Sequence, residues 1–380
     1  MLKRDRMIRT FTELVEIDSV SGNEEEMHDR LIEILKSFDL EVFEDDSQEK
    51  TGLGGNNIIA TLRGTQKEKD PILFSCHTDT VAPGTGIEVI EKDGYLFSAG
   101  DTILGADDKA GIAILIEALH MIKEEEIATG DIEFVFTPGE EIGLIGASAL
   151  DMNKIKSDMG YVLDNAGEVG NVIIASPTIF MYEATITGKA AHAGLEPEKG
   201  ISAVSIFGEA LKNIPNGRLD EKTTMNIGSI HGGEATNVVM DNLVIKGEIR
   251  SISTDNATRL MNKVRSELIA AAKQFGGSVD LKSEKKATGF YIDSEEPVMK
   301  LLTKAVKAIG RQVGREVSGG GSDANIFNEK GKQVVNLAIG YDEIHTINES
   351  VSIDEMEQAV RLVLKLIKNA PNKLGENHEG

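Results

Sequence analysis

The chain has 380 residues, 40% hydrophobic and 27% charged, which describes a folded globular protein with length for about two cores. Its 63 acidic against 40 basic residues leave a formal charge of −23, so there is no basic surface to neutralise nucleic-acid phosphates. The single cysteine, Cys76, excludes an internal disulfide and a cysteine-rich zinc module.

The N-terminal stretch carries Met7, Phe11, Leu14 and Val15 at helical spacing without a continuous apolar run, which predicts an amphipathic helix and not a signal peptide. No segment approaches the roughly 20 apolar residues of a membrane span, so a cytoplasmic protein with no membrane partner is expected. Short strands are predicted at 56–62 (NNIIATL), 71–77 (PILFSCH) and 131–138 (DIEFVFTP), bounded by turn residues. The stretch 108–126 reads as a strong helix with Asp107 or Asp108 placed to cap it. A further strand, GYVLDNAG at 160–167, stops at Asp164. Strands alternating with helices predict a doubly wound α/β sheet.

From about residue 176 the texture changes to strand, helix, strand, strand, helix, strand, ending with SVDLKSEKKAT, a compact α+β unit. The helix 257–277 finishes in glycines, an expected stop. The α/β pattern then returns with a helix at 297–310, a strand at 333–339 and a last helix at 352–370. The expected organisation is a discontinuous α/β domain of 1–176 and 290–380, with 177–289 inserted into it.

The chemistry gathers just beyond the apolar strands. His77 and Asp79 follow 71–75, Glu140 and Glu141 follow 131–137, Asp164 ends 160–163, and His345 follows 333–339. Asp107 and Asp108 open the helix of LGADDKAG. Ligands of open α/β sheets bind outside the carboxyl ends of the strands, and so many carboxylates in one crevice need a countercharge. Imidazole with carboxylate and no thiolate suits zinc or another first-row divalent ion better than calcium. A bridging carboxylate would hold two ions about 3.5–4 Å apart. Glu140 and Glu141 point apart in an extended turn, so one can ligate while the other acts as a base. Residues i and i+2 of an extended chain share a side, which brings His77 and Asp79 together and turns Cys76 the other way. His28, His120 and His378 lie in helix or tail contexts and read as structural or surface residues.

The segments SCHTDTV, LGADDKAG, TPGEEIG, YVLD and EIHTINE, in this order and spacing, resemble the di-zinc exopeptidase family of peptidase T, aminoacylase and carboxypeptidase G. The pairing of LGADDKAG with TPGEEIG looks most like the peptidase T branch. The resemblance implies a doubly wound catalytic domain with an inserted α+β lid that mediates homodimerisation. It implies two zinc ions, with cobalt or manganese compatible: His77, Asp107 and Asp164 would hold one, Asp107, Glu141 and His345 the other. Asp79 would orient His77, and Glu140 would be the general base toward water held between the metals. In the lid, GKAAHAG, GGEATNVV and GEIRS imply His192 as oxyanion stabiliser and Asn237 and Arg250 as grips on a substrate carboxylate. Gly320, within VSGGGSDANIF, would lie in a backbone-lined substrate wall. One departure stands out: DNAGEVGN follows the Asp164 ligand where peptidase T has a glycine-rich stretch. The implied activity is release of the N-terminal residue from short peptides. The alternatives are deacylation of N-acyl amino acids and a non-catalytic homologue.

Overall fold

The structure, a computed structural model, describes residues 2–373; His378 lies outside the described residues. The chain forms two compact units. One runs to Ile174 and resumes over Ile292–Val317 and from Ser322 onward, and the other comprises Ala175–Tyr291 with Ser318–Gly321.

The first unit is built on a mixed sheet. Ile72–His77 runs parallel to Ile132–Thr137 on one side and to Met159–Asn165 on the other, and Gln333–Ala338 continues the parallel run. Antiparallel strands flank it: Glu41–Glu44 and Ile58–Leu62 on one side, Asn171–Ser176 on the other. Every residue of Ile72–His77 and of Ile132–Thr137 is buried, as coverage on both faces requires of parallel strands. The helix Ala106–Glu124 covers the face that carries Cys76, since a Cβ on its Gly111 would lie 2.7 Å from Cys76 Sγ. The helix Asp323–Glu329 covers the face that carries His77. There Asp323 accepts a hydrogen bond from Thr137, the residue beside His77 in the ladder. The doubly wound α/β architecture is therefore the one that forms.

Four parallel strands end on one edge of this sheet, at His77, Thr137, Asn165 and Ala338. A smaller antiparallel sheet pairs Tyr341–Asp342, Ser350–Ser352, Tyr95–Ser98 and Val89–Lys92 in sequence, and the loop between its first two strands carries His345. These strands are too short for alternation to announce them, and the sequence reading misses them. It also misplaces the helix cap. Gly105, at φ 74°, precedes the helix, while Asp107 and Asp108 hold non-helical angles and cap nothing. Their carboxylates are turned to His77 instead.

The second unit is a five-stranded antiparallel sheet ordered Gly217–Asp220, Thr223–Gly232, Asn242–Ser251, Thr178–Thr187, Ser278–Ala287. The helices Ala203–Leu211 and Thr254–Phe275 pack with it around a core that includes Tyr182, Ile186, Ile206, Ile245, Ile249 and Leu268. Ser202 and Ser253 cap these helices through their hydroxyls, and Gly276, at φ 81°, ends the second.

Candidate metal centre

His77 closes its strand with the side chain only 2% exposed. Its Nε2 lies 2.8 Å from Asp107 Oδ1 and 3.6 Å from Asp164 Oδ1. On the far side of Asp107, His345 Nε2 stands 3.4 Å from Oδ2 and 2.8 Å from Glu141 Oε1. Asp107 thus faces both imidazoles, one through each oxygen. Asp108 is close by as well: its Oδ2 accepts the His77 backbone N–H at 3.2 Å, and its carboxylate groups with His77 and Asp164. Ligand atoms of His77, Asp107 and Glu141 lie within 4.8 Å of one another, as do those of His77, Asp108 and Asp164.

Charge crowding is marked. Burial works against the Asp107 carboxylate, yet hydrogen bonds from His345 and His77 hold it below the usual carboxylate range. Asp164 is pushed up to about 7 by burial and by the charge of Asp107. Glu140 is raised well above its ordinary value by enclosure and by the charge of Asp164. Hydrogen bonds to Asp107 and Glu141 lift His345 to about 10. Oxygen and imidazole donors this close together, with acids driven toward the neutral form by one another, fit divalent cations. A cation supplies the positive charge that the histidines otherwise supply by taking up protons.

Asp79 is wholly buried and serves two neighbours. His77 Nδ1 lies 3.1 Å from its backbone carbonyl and 3.3 Å from its Oδ1. The same carboxylate accepts the backbone N–H groups of Glu140 at 3.0 Å and Glu141 at 3.2 Å, and the Ser21 hydroxyl at 2.6 Å. It therefore orients the imidazole and sets the path of the loop that presents both glutamates. Glu141 goes to His345, whereas Glu140 belongs to neither ligand group.

The remaining predicted site residues lie in the second unit. His192 is exposed, and its Nδ1 accepts the N–H groups of Gly194 and Leu195 at 3.1 Å, which leaves Nε2 to carry the proton. Asn237 is adjacent, its carbonyl accepting from Ala193 N–H. Arg250 pairs with Glu248 at 3.0 Å and donates to the Gly319 carbonyl at 2.6 Å. Gly320 is tied to the same unit by its carbonyl, which accepts from Ser176.

Residues 73–369 match the sequence profile of peptidase family M20/M25/M40. The crystal structure of the aminopeptidase PepT from Bacillus cereus superposes with a TM-score of 0.94 at 42% identity, covering 97% of this chain and 98% of that one. A tripeptidase structure from Staphylococcus aureus gives 0.92 at 38% identity, over 97% and 98%. Peptidase T of Clostridium perfringens is 27% identical over 83% of this chain and 78% of its own. This chain belongs to peptidase family M20/M25/M40. Within that family it is peptidase T-like, a metallopeptidase by its ligand groups.

Other residues of this M20-family site escaped the sequence reading. The Tyr341 hydroxyl donates to Asp164 Oδ1 at 2.9 Å. Asn336 accepts the Asp164 N–H at 2.9 Å and donates to its carbonyl at 2.6 Å, where the ladder between Met159–Asn165 and Gln333–Ala338 slips register. Its side chain supplies the bonds the slipped backbone cannot make. A polar residue inside the apolar run QVVNLAI was a visible signal. Tyr341 offered none, because its role depends on the turn that follows the strand.

Proposed function

We propose that the protein is a two-metal aminopeptidase that removes the first residue of short peptides. The observation that carries this reading is Asp107 placed between two imidazoles, with Glu141 and Asp164 beside them and Glu140 left over. His77, Asp107 and Asp164 would hold one ion, and Asp107, Glu141 and His345 the other. Zinc is the ion best suited to this donor set, with cobalt and manganese as substitutes. Bound there, the ions would supply Lewis acidity to the scissile carbonyl and to water.

The chain's own residues do the rest. Glu140 takes the proton from the attacking water as the new C–O bond forms, and returns it to the amine nitrogen as the C–N bond breaks. His192 donates through Nε2 to the substrate oxyanion, Asn237 and Arg250 bind the substrate carboxylate, and Gly320 lends backbone to the substrate wall. The aminopeptidase and tripeptidase names of the similar structures support the substrate class.

A homodimer through the inserted unit is part of the proposal, supported by the exposed Val204, Leu211 and Ile269 on its helices; sedimentation equilibrium tests it. Cytoplasmic residence agrees with the lone buried thiol, and no helix among the described residues is long and apolar enough to cross a membrane.

Two experiments decide the activity. Metal-loaded protein should cut trialanine to alanine and dialanine and leave N-acetyl-trialanine intact; release of acetate would replace this reading with a deacylase. Glu140→Gln should lower kcat by about 10²–10⁴ while both metals stay bound. Unchanged turnover would remove Glu140 from the mechanism.

A further inference from the structure

Glu349, four residues beyond His345, is 2% exposed. Its Oε2 accepts the backbone N–H groups of Leu104 and Gly105 at 2.8 Å each, and its Oε1 accepts the Asp107 N–H at 3.0 Å. These donors line a single bend, the one that turns the chain into the helix Ala106–Glu124 with Gly105 at φ 74°. Neighbouring N–H groups converging in such a bend attract an anion, and bonds to a carboxylate are stronger than neutral ones.

The other end of Glu349 is equally fixed. It directly precedes Ser350–Ser352, which pairs with both Tyr341–Asp342 and Tyr95–Ser98. Asp342 and Ser350 are cross-strand partners, so residues 343–349 form the loop of one hairpin. His345 sits in that loop at φ 61°. One short segment therefore presents an imidazole to the Asp107 carboxylate, 3.4 Å away, and grips the backbone that carries this carboxylate.

We infer that Glu349 is a positioning residue for the metal position formed by Asp107, Glu141 and His345: it locks the Asp107 bend to the His345 hairpin so that the three donors converge. This inference rests on the two-metal reading above. The half-exposed His345 loop has no strand to hold it against Asp107, and Glu349 supplies that connection.

The test is a titration of metal-stripped protein with Co²⁺, followed by calorimetry and by the visible absorbance that reports cobalt geometry. Wild type should take up two equivalents. Glu349→Ala should weaken the step at Asp107, Glu141 and His345 about 10- to 100-fold, the usual cost of losing an outer partner of a ligand, and weaken the other step, which shares Asp107, by less. Adding His345→Ala to Glu349→Ala should weaken no further step. Glu349→Gln, which keeps an acceptor oxygen for the Leu104 and Gly105 donors, should recover part of the affinity, and it carries the test should the alanine variant not fold. Unchanged steps in both variants, or equal weakening of both steps with no recovery in glutamine, would overturn the inference. Uptake of fewer than two equivalents by wild type would instead overturn the two-metal reading, and with it this one.

Discussion

His77 and His345 approach the same carboxylate from opposite kinds of structure. His77 is the last residue of a central parallel strand, 2% exposed at its side chain, with Asp79 at its second nitrogen. His345 sits on a hairpin loop with 46% of its side chain exposed. The first half of the centre is thus a product of the core, with His77 held by the ladder and Asp164 held by Asn336 where the ladder slips. The second half is assembled from loops, and its geometry depends on a few hydrogen bonds. A ligand at a strand end should be costly to the fold when removed, and a loop ligand should be costly mainly to metal binding.

Paired substitutions test this difference directly. His77→Ala should remove a metal equivalent and also destabilise the stripped protein by about 3 kcal/mol, because buried Asp107 and Asp164 lose their partner. His345→Ala should lose the other equivalent with little change in thermal midpoint, since water reaches Glu141 and Asp107 in its place. Equal stability loss in the two variants would refute the contrast. A smaller effect is expected of Tyr341→Phe, which deletes one hydrogen bond to Asp164. Metal affinity in the His77 half should fall about tenfold, while the cobalt spectrum of the His345 half stays as in wild type. A changed spectrum there would mean that the halves are coupled more tightly than the structure implies.

The contrast also explains what could be read from sequence. Strand ends announce themselves, because an apolar run that stops at His77, Glu140 or Asp164 shows both the element and its edge. The alternation of strand and helix exposes the sheet for the same reason. Short strands such as Tyr95–Ser98 and Ser350–Ser352 carry too few residues for a period, so the small sheet behind His345 was invisible. Its partners were therefore invisible as well. Glu349 stood in a quoted motif, but nothing local says that its carboxylate turns to the bend at Leu104–Asp107. The aspartate pair misled as a helix cap for the opposite reason: local propensity favours a cap, and the demand of His77 overrides it.

Behind the buried half lies His28, whose Nε2 meets Thr78 Oγ1 at 2.7 Å, next to His77 in the chain. Burial lowers its proton affinity from the ordinary 6.5 to about 4, although the charge of Asp79 pulls the other way. The folded state therefore keeps His28 neutral over a range in which the unfolded chain takes up a proton. Above about pH 6.5 neither state is protonated and no penalty arises. As pH falls from there toward 4, folding should lose about 1.4 kcal/mol per pH unit from this residue. In His28→Gln, which keeps a polar partner for Thr78 but cannot titrate, that slope should disappear. Urea unfolding of the metal-free proteins at pH 7, 6 and 5 measures it, as the difference between wild type and variant. A difference that grows toward low pH locates an acid-sensitive support directly under the strand-built half of the centre. A constant difference would mean that His28 titrates in the fold as it does in the unfolded chain, with Asp79 just offsetting burial, and a difference of opposite trend would mean that Asp79 outweighs it.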